Sequence, residues 1–236
     1  MTEIEKLKEQ AEMRVKLIAG VAHSLRTTAT NIRWALQLFL DGDLGPLTNE
    51  QKDYLKKLND HNDSAVKLLS ELLNILHAEE LEGKEETEKI DLALLIDKTI
   101  NDFVEVARKK NIKINFERQD IGPIKTQSKK VEFILSNLID NALRYSDKGN
   151  ITIKIIKAAT GVEISVKDEG IGIPASDQTK IFEKFFRSGN AKKKEQMGTG
   201  LGLHIVKELV ESLSGKIWFE SKENTGSTFY FTLPLK

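Results

Sequence analysis

Cysteine is absent from this chain of 236 residues. Without it there is no disulfide framework and no thiolate metal site, which fits a reducing compartment. Net charge is absent as well: 36 basic and 36 acidic residues cancel, so no overall field draws the chain to nucleic acid or to an anionic membrane. The basic run Lys192-Lys193-Lys194 is too short to change that and reads as a solvated loop. No apolar stretch comes near the roughly 20 residues that cross a bilayer, and the charged start Met1-Thr2-Glu3-Ile4-Glu5-Lys6 is no secretory signal. The expectation is a soluble, cytoplasmic protein with no nucleic-acid partner and no membrane segment in this chain, any sensor or membrane part lying outside it. There is no internal repeat and no low-complexity segment. Aromatic residues are few, yet hydrophobic residues make up 39%, enough for the core of one large or two small domains.

What is present begins with a heptad seam. Ile4, Leu7, Ala11, Ile18, Val21, Leu25, Ile32, Ala35 and Phe39 keep a three-four spacing, interrupted by Arg14 and Thr28. Asp41-Gly42-Asp43-Leu44-Gly45-Pro46 ends that helix, and Thr48 with Gln51 predicts a capping box for the next. The second seam runs Tyr54, Leu58, His61, Ala65, Leu68, Leu72, Ile75. An antiparallel hairpin of two such helices leaves wide apolar faces uncovered, and pairing with a second copy into a four-helix bundle covers them. The acidic stretch Glu79-Glu80-Leu81-Glu82-Gly83-Lys84-Glu85-Glu86 reads as a linker, which divides the chain into 1–82 and 83–236. Beyond it the periodicities predict helices near 92–110, 129–146 and 200–213. Strands are predicted at 112–116, 150–157, 161–168, 216–220 and 227–233. The class is α+β, with helices on one face of a sheet.

Three motifs in the second half carry chemistry. Asn137-Leu138-Ile139-Asp140-Asn141-Ala142-Leu143-Arg144-Tyr145 places Asn137, Asn141, Arg144 and Tyr145 on one stripe of a helix, with Phe133, Leu138, Ile139 and Ala142 on the others. Carboxamide oxygens suit a hard cation such as Mg²⁺, which leans on phosphate oxygens, and Arg144 suits the phosphates themselves. Asp168-Glu169-Gly170-Ile171-Gly172-Ile173-Pro174 sets a carboxylate at a strand end beside a glycine turn. There Asp168 can accept from an exocyclic amine, which selects adenine over guanine if that is the base. Gly198-Thr199-Gly200-Leu201-Gly202-Leu203 lets backbone amides approach phosphate where another helix begins. Between the glycine clusters, Phe182-Glu183-Lys184-Phe185-Phe186-Arg187 and the polar stretch 188–197 read as a hinged flap that orders on ligand.

These segments resemble the asparagine box, the two glycine boxes and the phenylalanine box of the sensor histidine kinases of two-component systems, in the family's order. Ala22-His23-Ser24-Leu25-Arg26-Thr27 resembles the phosphoacceptor box, so the likeness spans nearly the whole chain. The resemblance implies a dimeric helical phosphotransfer domain followed by an α/β sandwich of Bergerat type that binds ATP and Mg²⁺. It implies that Asn141 holds the metal, that Asn137, Arg144 and Tyr145 line phosphates and ribose, and that Asp168 reads the adenine amine. Gly170, Gly172, Gly198, Thr199, Gly200, Leu201 and Gly202 would form the lid hinges and phosphate cradle. Phe182, Phe185 and Arg187 would couple the lid to the helical domain. The implied activity is that of a protein-histidine kinase, with a homodimer and a separate response regulator receiver domain as partners.

The chain has four histidines. His61, His77 and His204 fall where structural roles are expected, whereas His23 lies two residues from seam position Leu25, on the outer face of its helix. A neutral imidazole is nucleophilic near pH 7. The family usually follows this histidine with an acid or amide that acts as base; this chain has Ser24. Where the family commonly has proline five residues on, this chain has Thr28. Thr27 matches the residue that positions water for regulator dephosphorylation, so the phosphatase half is complete and the kinase half departs from pattern. Two other readings follow: a phosphatase-biased weak kinase, and a conformational ATPase or serine/threonine kinase on the same nucleotide fold, which the hairpin carrying His23 argues against.

Overall fold

The structure is a computed structural model that describes residues 3–81, 87–158, 161–195 and 198–235. The chain forms two compact units, the first running to Glu80 and including the short segment Gly198–Thr199, the second made of the residues from Leu81 onward apart from that segment. The first is a helical hairpin, α1 (Glu3–Leu40) and α2 (Asn49–Leu81). The expected capping box is formed: the Thr48 N–H donates to Gln51 Oε1 at 2.9 Å and the Gln51 N–H to Thr48 Oγ1 at 3.2 Å. Small residues make the hairpin's own contact. Ala22 and Ala29, two turns apart, are buried, and Asn62 Nδ2 donates to the Ala29 carbonyl at 2.8 Å across the pair. Seam residues Val21, Leu25, Ile32 and Phe39 of α1 and Tyr54 and Leu58 of α2 stay exposed, as does His61. The seam therefore faces away from the hairpin's own contact.

The second unit is a mixed five-stranded sheet with helices on one face. β2 (Ile112–Arg118), β4 (Gly149–Ala158), β5 (Gly161–Asp168), β6 (Ile217–Lys222) and β7 (Gly226–Pro234) lie in the order β2-β4-β5-β7-β6. Only β2 and β4 run parallel. The helices are α3 (Leu92–Lys109), α4 (Ser128–Tyr145) and α6 (Gly202–Ser212). Two short strands escaped the sequence reading, β1 (Glu88–Ile90) and β3 (Ile124–Thr126), which pair with each other outside the main sheet. So did a short helix inside the flap, α5 (Gly189–Lys194). At three residues each, β1 and β3 are too short to show a two-residue alternation.

Alternation does fix which face is inward. Ile151, Ile153 and Ile155 of β4, Val162, Ile164 and Val166 of β5, and Phe229, Phe231 and Leu233 of β7 are buried. Against them pack Ile134, Leu135, Leu138 and Ile139 of α4 and Val206, Leu209 and Val210 of α6. Each such side chain contributes roughly 1.5–3 kcal/mol relative to exposure. Polar groups fasten the helices. Asp91 caps α3 by accepting from the N–H of Ala93 at 2.8 Å and of Leu94 at 3.3 Å. Lys110 Nζ donates to the Leu143 carbonyl near the end of α4 at 2.7 Å, and the buried Lys130 donates to Ser212 Oγ at 3.0 Å, tying α4 to α6.

Candidate active site

The buried face of α4 holds Ile134, Leu135, Leu138, Ile139, Ala142 and Leu143, which leaves Asn137, Asn141, Arg144 and Tyr145 half-buried along its edge. Asn141 Nδ2 donates to Asn137 Oδ1 at 3.3 Å. That bond spends an amide hydrogen and leaves the Asn141 carbonyl oxygen, the atom a hard cation takes, so the residues present fit a Mg²⁺ ligand. Arg144 lies against Asp140 at 2.7 Å, an acidic neighbour one turn back that holds the guanidinium on the helix.

Asp168 ends β5 and is buried. Its Oδ1 accepts from the Gly170 N–H at 2.8 Å, and the Ser227 N–H also donates to the carboxylate. Burial outweighs both bonds and pushes its pKa up to about 6. The turn after it is locked to α4: the Ile171 N–H donates to the Tyr145 carbonyl at 3.2 Å. Gly170 has no room for a side chain, because a Cβ there would sit 2.5 Å from the Tyr145 carbonyl oxygen. Gly172 accepts from Asn190 Nδ2 at 2.8 Å, which joins this turn to the flap.

The third motif meets the first. A Cβ on Gly202 would lie 2.7 Å from Asn137 Oδ1, so the start of α6 packs directly on the asparagine stripe. No side chain caps α6, whose N-cap is Leu201, and an uncapped helix start of this kind favours an anion. Gly198 and Thr199 lie in the segment leading to it. Gly200 has φ +74° and its carbonyl accepts from the Phe185 N–H at 3.1 Å. Phe182 packs edge-on to Phe219 with centroids 5.9 Å apart, while Phe185 is exposed with φ +65°. His204 has the structural contact expected, its Nδ1 donating to the Phe182 carbonyl at 3.0 Å.

The flap departs from the expected loop. Arg187 donates to the carbonyls of Ala191, at 3.2 Å, and Glu195, which gathers the end of α5. Lys194, expected as solvated, is mostly covered and pairs with Asp147, one residue past the end of α4 and its cap Ser146. Only its neighbours Lys192 and Lys193 are exposed. The loop reading failed because the partner is 47 positions away in sequence and no local spacing announces it. Asp140, Asp147 and Ser146 are the site neighbours that sequence reasoning passed over.

Residues 13–81 match the family model described as the His Kinase A (phospho-acceptor) domain. Residues 126–236 match that of the histidine kinase-, DNA gyrase B- and HSP90-like ATPases. A solved catalytic domain of the histidine kinase ThkA is 34% identical, with a TM-score of 0.56, and the match covers 97% of it and 64% of this chain. The chain belongs to the sensor histidine kinase family. Sensor histidine kinase WalK of Bacillus subtilis is 32% identical across 100% of this chain, and the circadian input-output histidine kinase CikA of Synechococcus elongatus is 30% identical across 93%. The chain spans 38% and 30% of those kinases' own lengths. Full-length ShkA, solved with AMPPNP, superposes with a TM-score of 0.65 at 25% identity, covering 93% of this chain and 46% of that one. As in the family, a helical first unit precedes a mixed sheet with helices on one face, the α+β architecture expected. Among the described residues no helix is long and apolar enough to cross a membrane.

The backbone of the phosphoacceptor box is helical, and the His23 side chain lies outside the described residues, as does that of His77. Ser24 Oγ donates to the Gly20 carbonyl at 3.0 Å and Thr28 Oγ1 to the Ser24 carbonyl at 3.0 Å. Thr27 is exposed.

Proposed function

We propose that this chain is the catalytic core of a homodimeric protein-histidine kinase, with domains at 1–82 and 83–236, that phosphorylates His23 from ATP and passes the group to an aspartate of a separate response regulator. The observation that carries the reading is the packing of Gly202 on Asn137. It brings Gly202 of the second glycine motif against the asparagine stripe, in a chain whose first helix bears Ala22-His23-Ser24-Leu25-Arg26-Thr27.

In this reading Asp168 accepts from the adenine amine, Asn137 and Tyr145 line the phosphates and ribose, and the α6 amides meet phosphate oxygens. Arg144 exchanges Asp140 for phosphate. Asn141 would hold Mg²⁺, which would supply neutralisation of the phosphate charge. A ring nitrogen of His23 attacks the γ-phosphorus, the bond to the bridging oxygen breaks and ADP leaves. The proton on the other ring nitrogen then departs to a base. Phe182, Phe185 and Arg187 report the state of the flap, and Gly170, Gly172, Gly198, Thr199, Gly200 and Leu201 give it its hinges and cradle.

Incubation with labelled ATP and Mg²⁺ tests the reading: the label should be acid-labile and base-stable, and His23→Gln should abolish it with nucleotide affinity unchanged. Full labelling of that variant would remove His23 from the role. One observation favours a second reading. The Ser24 hydroxyl is spent on the Gly20 carbonyl and is a poor base, which points to a phosphatase-biased weak kinase with Thr27 positioning the water. Loss of acyl phosphate from a supplied regulator, without self-labelling, distinguishes the two.

A further inference from the structure

The ring of His204 lies between two acceptors. It stands in the first turn of α6 with its side chain 17% exposed, and its Nδ1 meets the Phe182 carbonyl at 3.0 Å. A carbonyl only accepts, so Nδ1 carries the proton. On the other side of the ring, Nε2 lies 3.1 Å from Glu208 Oε1, one turn along the helix. A neutral ring with its proton on Nδ1 presents a bare nitrogen there to a carboxylate, which also only accepts. Nε2 is accordingly buried without a hydrogen-bond partner among the described residues, although the carboxylate is within reach. Lys184 Nζ, from the segment that also holds Phe182, stands 3.9 Å from the same Glu208 oxygen.

These contacts stitch one segment to one helix start. The Phe185 N–H donates to the Gly200 carbonyl at 3.1 Å, just before α6, and the Phe182 carbonyl accepts from His204, just inside it. The two bonds lie on either side of Gly202, the residue that packs on Asn137. A ligand that moves the backbone of residues 200–202 against the asparagine stripe therefore carries residues 182–185 with it, unless one of the bonds breaks. The Phe185 bond joins main chain to main chain. Of the two, the Phe182 bond is the one a side chain makes, so the identity of residue 204 sets how firmly the phenylalanine segment follows α6.

We propose that His204 is a positioning residue for the kinase reaction: through Nδ1 it makes residues 182–187 follow the start of α6. Nucleotide held at the α6 amides then sets the segment whose Phe182, Phe185 and Arg187 act on the helical unit. Nδ1 does the holding and the unbonded Nε2 does not. The inference rests on the reading of this chain as a histidine kinase, and it gives His204 no contact with nucleotide or with His23.

Self-labelling of the full chain with labelled ATP and Mg²⁺ tests it, alongside calorimetric titration with ATP. His204→Ala should lower the labelling rate at saturating ATP about tenfold, the worth of one hydrogen bond, with ATP affinity within about twofold of wild type. His204→Asn, whose amide N–H can take the place of Nδ1–H, should recover most of the rate. His204→Gln, whose amide falls where Nε2 lies, should stay as slow as the Ala variant. A second measurement needs no variant and stands even if all three fail to fold: in wild type, a non-hydrolysable ATP analogue should slow amide exchange over residues 182–187 and 202–206 together. Protection confined to 202–206 overturns the proposal, as does equal rescue by Asn and Gln. A loss of ATP affinity as large as the loss of rate marks a merely structural role and overturns it too. Wild type that takes no label overturns the kinase reading and this proposal with it, whereas normal labelling by His204→Ala removes only His204.

Discussion

Gly202 at the start of α6 and Asn137 on α4 are in such close contact that a methyl group on the glycine would lie 2.7 Å from the Asn137 side-chain oxygen. The obstructing atom is the tip of a side chain, which can turn away at little cost, but turning breaks its 3.3 Å bond to Asn141. Gly202→Ala should therefore weaken Mg²⁺-dependent nucleotide binding about tenfold while the melting temperature moves by no more than about 3 °C, the equivalent of roughly 1 kcal/mol. Gly200→Ala should cost fold stability as well as binding. There φ is +74° and the wall is the Phe186 carbonyl, 2.6 Å from the new methyl, so the fold should lose about 1–2 kcal/mol or more. Paired thermal melts and ATP titrations separate the two.

Asp168 couples stability to pH with an unusual sign. Its folded pKa, about 6, lies above the ordinary 3.8 because burial disfavours the charge. The folded state binds the proton more tightly, so the stability gained is full below pH 3.8 and is lost as pH rises through 6. Asp168→Asn should melt higher than wild type above pH 7, by up to about 3 kcal/mol, and gain little at pH 4. Nucleotide affinity should run opposite: wild type should lose adenine binding as pH falls through about 6, beyond the pH dependence of the Asn variant, which reports phosphate titration alone. Identical melting profiles for the two proteins would contradict the assignment.

The Lys194 pair with Asp147 fastens α5 beside the end of α4. The lysine lowers the exposed aspartate's pKa, first by hydrogen bonding and then by charge. Asp147→Asn should speed amide exchange over residues 189–195 and raise the nucleotide dissociation rate severalfold, with fold stability unchanged. Hydrogen exchange by mass spectrometry measures the first and fluorescent-nucleotide displacement the second.

Val21, Leu25 and Ile32 are 56%, 49% and 48% exposed on α1. Covered by a second hairpin, they should make the chain sediment as a dimer at micromolar concentration, and Ile32→Glu should yield a monomer. A monodisperse, folded wild-type monomer would end the dimer proposal.

Ser24→Glu tests the departure in the phosphoacceptor box. A positioned base typically contributes 10²–10⁴-fold, and the low end is expected because the rest of the site lacks a carboxylate there. Initial labelling rates at saturating ATP decide it; an equal or slower rate means that Ser24 is not limiting.

Sequence periodicity and motif order made the hairpin, the sheet and the positions of Asn137, Asp168 and the glycines legible, because each depends on neighbours a few residues away. Thr48 and Gln51 bond as their spacing predicts. What stayed illegible depends on partners distant in sequence: Lys194 with Asp147, Lys130 with Ser212, and the pairing of β1 with β3. The hairpin shows a subtler miss. The large seam residues announce a contact, but the small ones, Ala22 and Ala29, make the contact within the chain.

The parallel pairing of β2 with β4 has a consequence for how a working kinase domain is made. Neighbouring parallel strands need a crossover, and α4 is part of the one between them. The asparagine helix is thus set in place by sheet closure. A nascent chain that has emerged only as far as Tyr145 has every asparagine of the stripe but no β4 to draw α4 onto the sheet, and no Asp168 beside it. Nucleotide binding should switch on late in synthesis, once β5 and α6 have docked, which keeps partly made chains from holding ATP.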